Sequence, residues 1–254
     1  MNKQVLERNF SRFAASYDDY ADIQKRVAAE LLAQIPNQGF ASILEIGCGT
    51  GNYSLLLRKR FARAKISAFD LSEEMVEYAK DKHREEGINF FQADAERLDL
   101  RNKFDLVTSN ACLHWVSDLE KVISLSKSLL NKGGRAAFSI FGPLTFNELG
   151  ESLAAVLNNE TIEAKNFPDQ VKIGQIMHKY FKTASIKEIT LHKEYQSLEE
   201  LLYRIKLTGT NGSGLAQKSR FSRGLLKQIE AAYLEKFKSI IAAYQVFFCQ
   251  AEFD

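Results

Sequence analysis

The chain has 254 residues, which is long for one domain and short for two, so a single domain over 1–254 with an elaboration is expected. The formal net charge of +2 excludes a strong overall attraction to nucleic acid or to a membrane surface, and the 45% hydrophobic content can fill a sizeable core. The three cysteines are scattered without a CxxC pair, which argues against a zinc knuckle and favours a reducing compartment.

The start of the sequence has no apolar run typical of a secretory signal, and no stretch approaches the roughly 18 uninterrupted apolar residues of a membrane span. A cytoplasmic protein is therefore expected. Helical patterns fill 1–36, ahead of the first strand, so this segment is expected to fold back over the ligand edge of a sheet as a lid.

From 37 to 142, short apolar runs alternate with helical patterns, which is typical of a parallel, doubly wound α/β sheet that binds a ligand. The helix that begins at Asp118 is expected to stop at Asn131-Lys132-Gly133-Gly134, because glycine often ends a helix. The predicted strands of this core are 41–46, 65–70, 88–94, 103–109 and 134–141.

The pattern changes after Phe141. Residues 143–240 are interpreted as substrate and cap elements, and 241–254 as a closing strand. Within them the sequence predicts helices at 144–157, 170–181, 197–207 and 221–233, strands at 185–195 and 242–253, and a flexible loop at 208–214.

A glycine loop, Gly47-Cys48-Gly49-Thr50-Gly51, joins the first predicted strand to a helix. In a doubly wound sheet, the ligand lies here, beyond the carboxyl ends of the strands. A dinucleotide fingerprint places its third glycine one residue later, where this chain has Asn52. The observed spacing favours the aminoacyl-sugar end of S-adenosylmethionine over a pyrophosphate.

Acidic residues stand at the ends of successive predicted strands. Asp70 can accept from both ribose hydroxyls, Asp94 from an adenine amino group, and Glu45 can orient the loop amides or the ammonium of the ligand. Taken alone, Asp70 is equally a helix-entry residue, and Asp94 is more often a plain loop carboxylate. Their joint placement favours a nucleoside site, with Leu71, Met75 and Phe91 available to flank the adenine.

Over 41–141 the chain resembles the class I methyltransferases. The resemblance implies a Rossmann-like sheet of seven strands, mostly parallel, with an antiparallel last strand inserted beside the fifth. It also places Asn110 at the methyl-donor site. The residues that it implies for S-adenosylmethionine are Gln24, Glu45, Gly47, Cys48, Gly49, Gly51, Asp70, Leu71, Met75, Asp94, Ala95 and Asn110.

The exit of the fourth predicted strand, Ser109 to Trp115, bears on the methyl acceptor. It lacks the (Asp/Asn)-Pro-Pro-aromatic motif of amino-methylating nucleic-acid enzymes, and Cys112 lacks the preceding proline of a cytosine nucleophile. His114 is a candidate base, although packing beside Trp115 is favoured. A missing base suits a carboxylate acceptor, which is already ionised at neutral pH and needs only alignment and desolvation.

Five segments (9–32, 109–118, 138–149, 203–212 and 242–253) resemble the malonyl-acyl-carrier-protein O-methyltransferases of biotin synthesis. This resemblance implies methylation of the free carboxyl of a malonyl thioester, carried by acyl carrier protein or coenzyme A. The ester hides a charge, so that elongation enzymes accept the primer for pimeloyl and biotin synthesis. The alternatives are methylation of another small carboxylate or small molecule, and a non-catalytic protein that binds S-adenosylmethionine.

The same resemblance suggests site residues. Tyr17 and Asn110 are assigned as catalytic, and Arg12, Tyr17, His114 and Lys206 as substrate-binding. Tyr17 is equally a helix-packing aromatic. Arg12 and Lys206 are the candidates for the malonyl carboxylate, although a solvated surface charge is the favoured interpretation of each.

The segment 204–227 contains no acidic residue, which is unusual in a nearly neutral chain. Such a basic cluster can steer an acidic acyl carrier protein. A solvated helix face and an RNA-binding patch are the alternatives, and RNA is disfavoured because no aromatic-rich surface accompanies the cluster. Its members are Arg204, Lys206, Lys218, Arg220, Arg223 and Lys227.

Overall fold

A computed structural model describes residues 3–157, 162–208 and 221–254. The strands are β1 (Ser42–Ile46), β2 (Lys65–Asp70), β3 (Asn89–Gln92), β4 (Phe104–Asn110), β5 (Leu130–Phe141), β6 (Thr183–Tyr195) and β7 (Ile240–Glu252). The helices are α1 (Lys3–Phe13), α2 (Tyr17–Tyr20), α3 (Asp22–Gln34), α4 (Asn52–Arg60), α5 (Glu73–Lys82), α6 (Leu119–Ser128), α7 (Asn147–Leu157), α8 (Gln170–Tyr180), α9 (Leu198–Leu207) and α10 (Arg223–Phe237). Short 3₁₀ helices cover Leu113–Trp115 and Glu163–Asn166.

The described strands form one seven-stranded sheet in the order β3-β2-β1-β4-β5-β7-β6. Neighbouring strands from β3 to β5 are parallel, and β7 runs antiparallel to both β5 and β6. The predicted α/β class, the strand number and the antiparallel last strand beside the fifth are confirmed. The chain order reverses between β1 and β4, and their carboxyl ends are where such sheets hold a ligand.

Apolar side chains cover both faces of the sheet because successive residues of a strand point to opposite sides. Ile43 belongs to the larger apolar cluster, together with α3, α4, α7 and α10, whereas Leu44 belongs to a second cluster, together with α6 and α8. The N-terminal helices α1 and α3 pack in different places. The α3 helix buries Val27 and Leu31 in the larger cluster, while α1 lies near the strand ends.

The predicted stop of the helix at 131–134 is wrong. The helix ends at Ser128, and these four residues belong to β5, where the register against β4 shifts between Phe104 and Leu106. Gly133 has a φ of 74° and donates its amide to the Phe253 carbonyl, so the glycines shape an irregular strand instead of ending a helix. The other boundaries differ by a few residues, and 209–214 of the predicted loop lie outside the described residues.

Within the described residues, none of the helices combines the length and the hydropathy needed to cross a bilayer.

Candidate active site

The glycine loop between β1 and α4 is held against β2 by backbone hydrogen bonds. The amides of Gly47 and Cys48 both donate to the Phe69 carbonyl, at 2.8 and 2.9 Å. All three loop glycines have positive φ, a conformation that side chains with a Cβ rarely adopt. A Cβ added at Gly47 would also lie 2.2 Å from Cys112 Sγ. Conformation and space therefore both require glycine at this position.

Asp70, the last residue of β2, closes the loop from the other side. Its Oδ2 accepts from the Gly49 amide at 2.9 Å and its Oδ1 from the Ser72 amide at 3.0 Å. Desolvation in the cavity wall raises the pKa of Asp70, although the two amides oppose the shift. A Cβ added at Gly49 would meet no heavy atom within 4 Å, so the loop and the carboxylate border open space.

Glu45 is the penultimate residue of β1, two residues before the loop, and is 1% exposed. Its Oε2 accepts a hydrogen bond of 2.5 Å from Ser54 Oγ. Burial raises the pKa of Glu45 to about 8, with a smaller contribution from Asp70, and the Ser54 bond opposes it. The carboxyl group is thus largely protonated at neutral pH until a cation comes beside it.

This pKa predicts how stability depends on pH. The folded value of about 8 exceeds the ordinary value of 4.5, so the contribution of Glu45 is fully present below about pH 4.5 and is lost as the pH rises through about 8. Glu45→Gln keeps the side-chain size and cannot ionise. In urea unfolding of the ligand-free protein, the stability of the wild type should therefore fall relative to that of the variant across this window. Parallel pH profiles would contradict the assignment.

Asp94, two residues after β3, is paired with the N-terminal helix. Both of its oxygens accept from Lys3 Nζ at 2.8 Å, and Lys3 also lies 3.0 Å from Glu96. Burial opposes the shift, but the hydrogen bonds from Lys3 and from the Glu96 amide hold the pKa of Asp94 below its usual value. The carboxylate predicted for the adenine end is therefore covered by the first residues of α1.

A second contact fastens the N-terminal segment to the glycine loop. Asp18 Oδ1 accepts from Thr50 Oγ1 and from Asn52 Nδ2, both at 2.6 Å, and Oδ2 is bound by the Lys82 ammonium. No spacing pattern in the sequence marks Asp18, because the contact joins residues more than 30 positions apart. Lys3 was missed for the same reason.

These elements enclose a first cavity of about 1110 Å³, part of it open to solvent. Of the predicted site residues, Gly51 lies outside the lining and packs near His83 and Phe90, and Phe91 packs on Phe69. The predicted residues that line this cavity are Tyr17, Gln24, Glu45, Gly47, Cys48, Gly49, Asp70, Leu71, Met75, Asp94, Ala95 and Asn110.

A second cavity of about 430 Å³ adjoins the first, and Gln24 and Trp115 line both. Its wall is mostly aromatic. Apart from these two shared residues, it is lined by Tyr20, Asp22, Ile23, His114, Phe141, Thr145, Phe146, Phe167, Tyr195, Arg204, Ile205, Thr208 and Tyr244.

His114 and Tyr17 are both held in their neutral forms. The ring centroid of His114 lies 4.6 to 5.0 Å from those of Trp115, Phe141 and Phe167, and burial lowers its pKa to about 3. Burial, with smaller contributions from nearby acids, raises the pKa of the Tyr17 hydroxyl well above its usual value. Near neutral pH the first is an uncharged imidazole and the second a hydroxyl that can donate a hydrogen bond.

Asn110 is the last residue of β4 and lines the first cavity. Its Nδ2 donates to the Gln24 carbonyl at 3.2 Å, and its Oδ1 accepts from Ser139 Oγ at 2.9 Å. The amide thereby connects the sheet edge to α3 and fixes the position of Gln24.

Neither basic residue predicted for the substrate lines either of these two cavities. Arg12 is exposed, with its guanidinium 5.6 Å from the centroid of the Phe13 ring, and Lys206 is exposed on α9. Arg204, two residues before Lys206, lines the second cavity instead. Across the described parts of the chain, no group of three or more His, Cys, Asp or Glu side chains is placed to hold a metal ion.

Comparisons with known proteins place this geometry in a family. Residues 43–134 match the family model described as a methyltransferase domain. Malonyl-acyl-carrier-protein O-methyltransferase 1 of Ilyobacter polytropus is 36% identical over 245 residues, covering 95% of this chain and 91% of that protein. The malonyl-acyl-carrier-protein O-methyltransferase of Acetivibrio thermocellus is 33% identical over 252 residues, covering 94% and 88%.

Solved structures support the fold. The YcgJ protein of Bacillus subtilis has a TM-score of 0.64 at 16% identity, covering 90% of this chain and 98% of that one. Phosphoethanolamine N-methyltransferase 2 of Haemonchus contortus, solved in complex with S-adenosyl-L-methionine, has a TM-score of 0.56 at 17% identity, covering 89% and 52%. Both malonyl-acyl-carrier-protein O-methyltransferases are more than 30% identical to this chain over nearly its whole length, and the seven-stranded sheet agrees with that relationship. The chain therefore belongs to the malonyl-acyl-carrier-protein O-methyltransferase family.

Proposed function

We propose that the protein transfers the methyl group of S-adenosylmethionine to the free carboxyl of a malonyl thioester, giving its methyl ester. The observation that carries the proposal is the pair of adjoining cavities with Gln24 and Trp115 at their boundary. The first has carboxylates and a glycine loop, and the second has aromatic walls. The alternative is methylation of another small carboxylate or small molecule in the same second cavity.

The first cavity fits S-adenosylmethionine by the chemistry of its lining. Glu45 is buried with a hydroxyl as its partner, which suits an incoming ammonium group. Asp70 borders the open space at Gly49, which suits ribose hydroxyls. When bound, S-adenosylmethionine would supply a methyl group on a cationic sulfur: as a carboxylate oxygen takes the methyl group, the sulfur keeps the electron pair of the broken bond and becomes a neutral thioether.

No side chain in the second cavity is required to remove a proton. His114 is neutral and has its Nδ1 3.5 Å from the Phe141 amide, which donates to it. A carboxylate acceptor is already ionised, so the protein has to align the reacting oxygen and exclude water. Tyr17 and Asn110, which both line the first cavity, are proposed to position the reacting groups, beneath a lid that residues 1–36 are proposed to form.

The domain division expected from the sequence is part of this proposal. Residues 37–142 form the donor-binding core, 143–240 shape the acceptor side, and 241–254 close the sheet. A cytoplasmic location is also proposed, since Cys48, Cys112 and Cys249 are all unpaired, as a reducing compartment would keep them.

The test is methyl transfer from labelled S-adenosylmethionine to malonyl-acyl carrier protein, with malonyl-coenzyme A, acetyl-acyl carrier protein and bulk RNA assayed alongside. Label should appear as a base-labile ester on the malonyl species, and the acetyl and RNA samples should remain unlabelled. Tight donor binding without label on any malonyl species would assign the function to the alternative, methylation of another small molecule.

Acyl carrier protein is the proposed bearer of the malonyl group. Arg204, the first member of the basic cluster, lines the second cavity, so the described members left for docking are Lys206 on α9 and Arg223 and Lys227 on α10, two helices that contact each other. Lys218 and Arg220 lie outside the described residues. Exposed charges are screened by salt. Raising the ionic strength should therefore raise KM for malonyl-acyl carrier protein more than for malonyl-pantetheine, in the same assay.

A further inference from the structure

The second cavity contains a single cationic side chain among its described lining residues. Arg204 reaches it from α9, and Asp22 is the acid that shares the wall. Aromatic rings cover much of the rest. A carboxylate that left water for such a wall without a cationic partner would be strongly disfavoured, so this guanidinium decides whether the cavity accepts an anion.

The contacts of Arg204 fix its position and leave donors unused. Its Nε donates to Glu200 Oε1 at 2.8 Å, and its guanidinium carbon lies 5.7 Å from the centroid of the Tyr20 ring. Its Nη1 is 3.8 Å from Asp22 Oδ1, which is beyond hydrogen-bond distance. Within the described part of the chain, Nε is thus the guanidinium nitrogen that is hydrogen-bonded, and the terminal nitrogens remain for a ligand.

The two acids near Arg204 do not depend on it alone. Asp22 is also bound by the Lys193 ammonium, and Glu200 also accepts from the Gln196 amide at 2.9 Å. Because each acid keeps a second partner, Arg204 can share its charge with an incoming carboxylate.

We propose that Arg204 binds the free carboxylate of the malonyl group in the second cavity, and thereby selects thioesters that end in a carboxylate. This inference rests on the proposed function. One carboxylate oxygen accepts from the guanidinium, and the other is left to face the Gln24 and Trp115 boundary. The role belongs to Arg204 and not to Arg12 or Lys206, neither of which reaches the cavity.

The experiment compares Arg204→Gln and Arg204→Lys with the wild type, using malonyl-acyl carrier protein and malonyl-pantetheine. Loss of hydrogen bonds to a charged group should lower kcat/KM about 10- to 100-fold for Arg204→Gln, mainly through KM and equally for both substrates. Arg204→Lys keeps the charge without the planar fork, so its loss should be smaller. The affinity for S-adenosylhomocysteine should stay unchanged in both variants.

Arg135→Gln is the matched control. Arg135 is also paired with one glutamate, Glu252, and its side chain is 30% exposed against 29% for Arg204. Arg135 lies on β5, toward the end of the parallel strands that is opposite the cavities. The kcat/KM of Arg135→Gln should therefore match that of the wild type.

Three results would overturn the assignment of Arg204: an unchanged kcat/KM, a loss confined to malonyl-acyl carrier protein, or a parallel loss of S-adenosylhomocysteine binding. The second would mean carrier docking and the third a structural role. If Arg204→Gln fails to fold, Arg204→Lys decides, because wild-type kcat/KM in that variant would show that the guanidinium fork is unused. Failure of the proposed function is distinct, since the wild type itself would then transfer no methyl to malonyl.

Discussion

Asp70→Ala is expected to lower donor affinity at least about 100-fold, because each hydrogen bond to a charged acceptor contributes about 1.5–3 kcal/mol and two ribose hydroxyls are involved. Asp70→Asn keeps the size and removes the charge, so it should lose most of the same affinity. The carboxylate also holds the Gly49 amide, and the alanine variant releases the centre of the loop as well. Titration calorimetry with S-adenosylhomocysteine measures both variants.

Asp105→Asn is the control for this prediction. Its Oδ2 accepts from the amides of Ala41 and Ser42 at 2.8 and 2.9 Å, so it too is a carboxylate bound to backbone amides. It lies at the start of β4, at the far edge of the sheet, and its loss should cost stability and leave donor affinity intact. Wild-type affinity in Asp70→Ala would remove Asp70 from the ribose.

Gly47→Ala should destabilise the protein and abolish donor binding. The φ of 72° costs about 1–2 kcal/mol for a residue with a Cβ, and the contact with Cys112 Sγ adds about 1–3 kcal/mol of overpacking. The free energy of unfolding in urea should therefore fall by about 2–5 kcal/mol. Because the loop lines the first cavity and would have to move away from Cys112, the cavity would change shape and donor binding would be lost.

Gly87→Ala separates conformation from collision. Gly87 has a φ of 63°, and a Cβ added there would meet no heavy atom within 4 Å. Its loss of stability should stay near the conformational cost alone, about 1–2 kcal/mol, with normal donor binding. Equal losses in the two variants would show that Cys112 moves aside at no cost.

The sheet and the family could be predicted from the sequence because both depend on local patterns. Apolar runs alternating with helical periodicity specify a doubly wound sheet, and the glycine loop with acids at successive strand ends specifies a nucleoside site. The prediction that Gly133 and Gly134 end a helix was wrong because a glycine with positive φ can end a helix but can also shape an irregular strand. Local sequence does not separate the two uses.

The acceptor side was harder to predict because it depends on which helix face turns inward. Arg204 and Lys206 are two residues apart on α9 and therefore point to nearly opposite sides, and only the packing of α9 against α2, α10 and β6 decides which of them faces inward. Asp18 and Lys3 act through contacts between distant segments, which leave no spacing pattern.

The position of β7 has a consequence for biosynthesis. Residues 240–252 pair with β5 on one side and with β6 on the other, so they join 183–195 to the rest of the sheet. While the ribosome is still making the chain, the parallel strands can assemble in order, but β6 has no neighbour until the residues of β7 are made. The second cavity, which β6 and β7 line through Tyr195 and Tyr244, is therefore completed late, once the last strand of the described chain has been made.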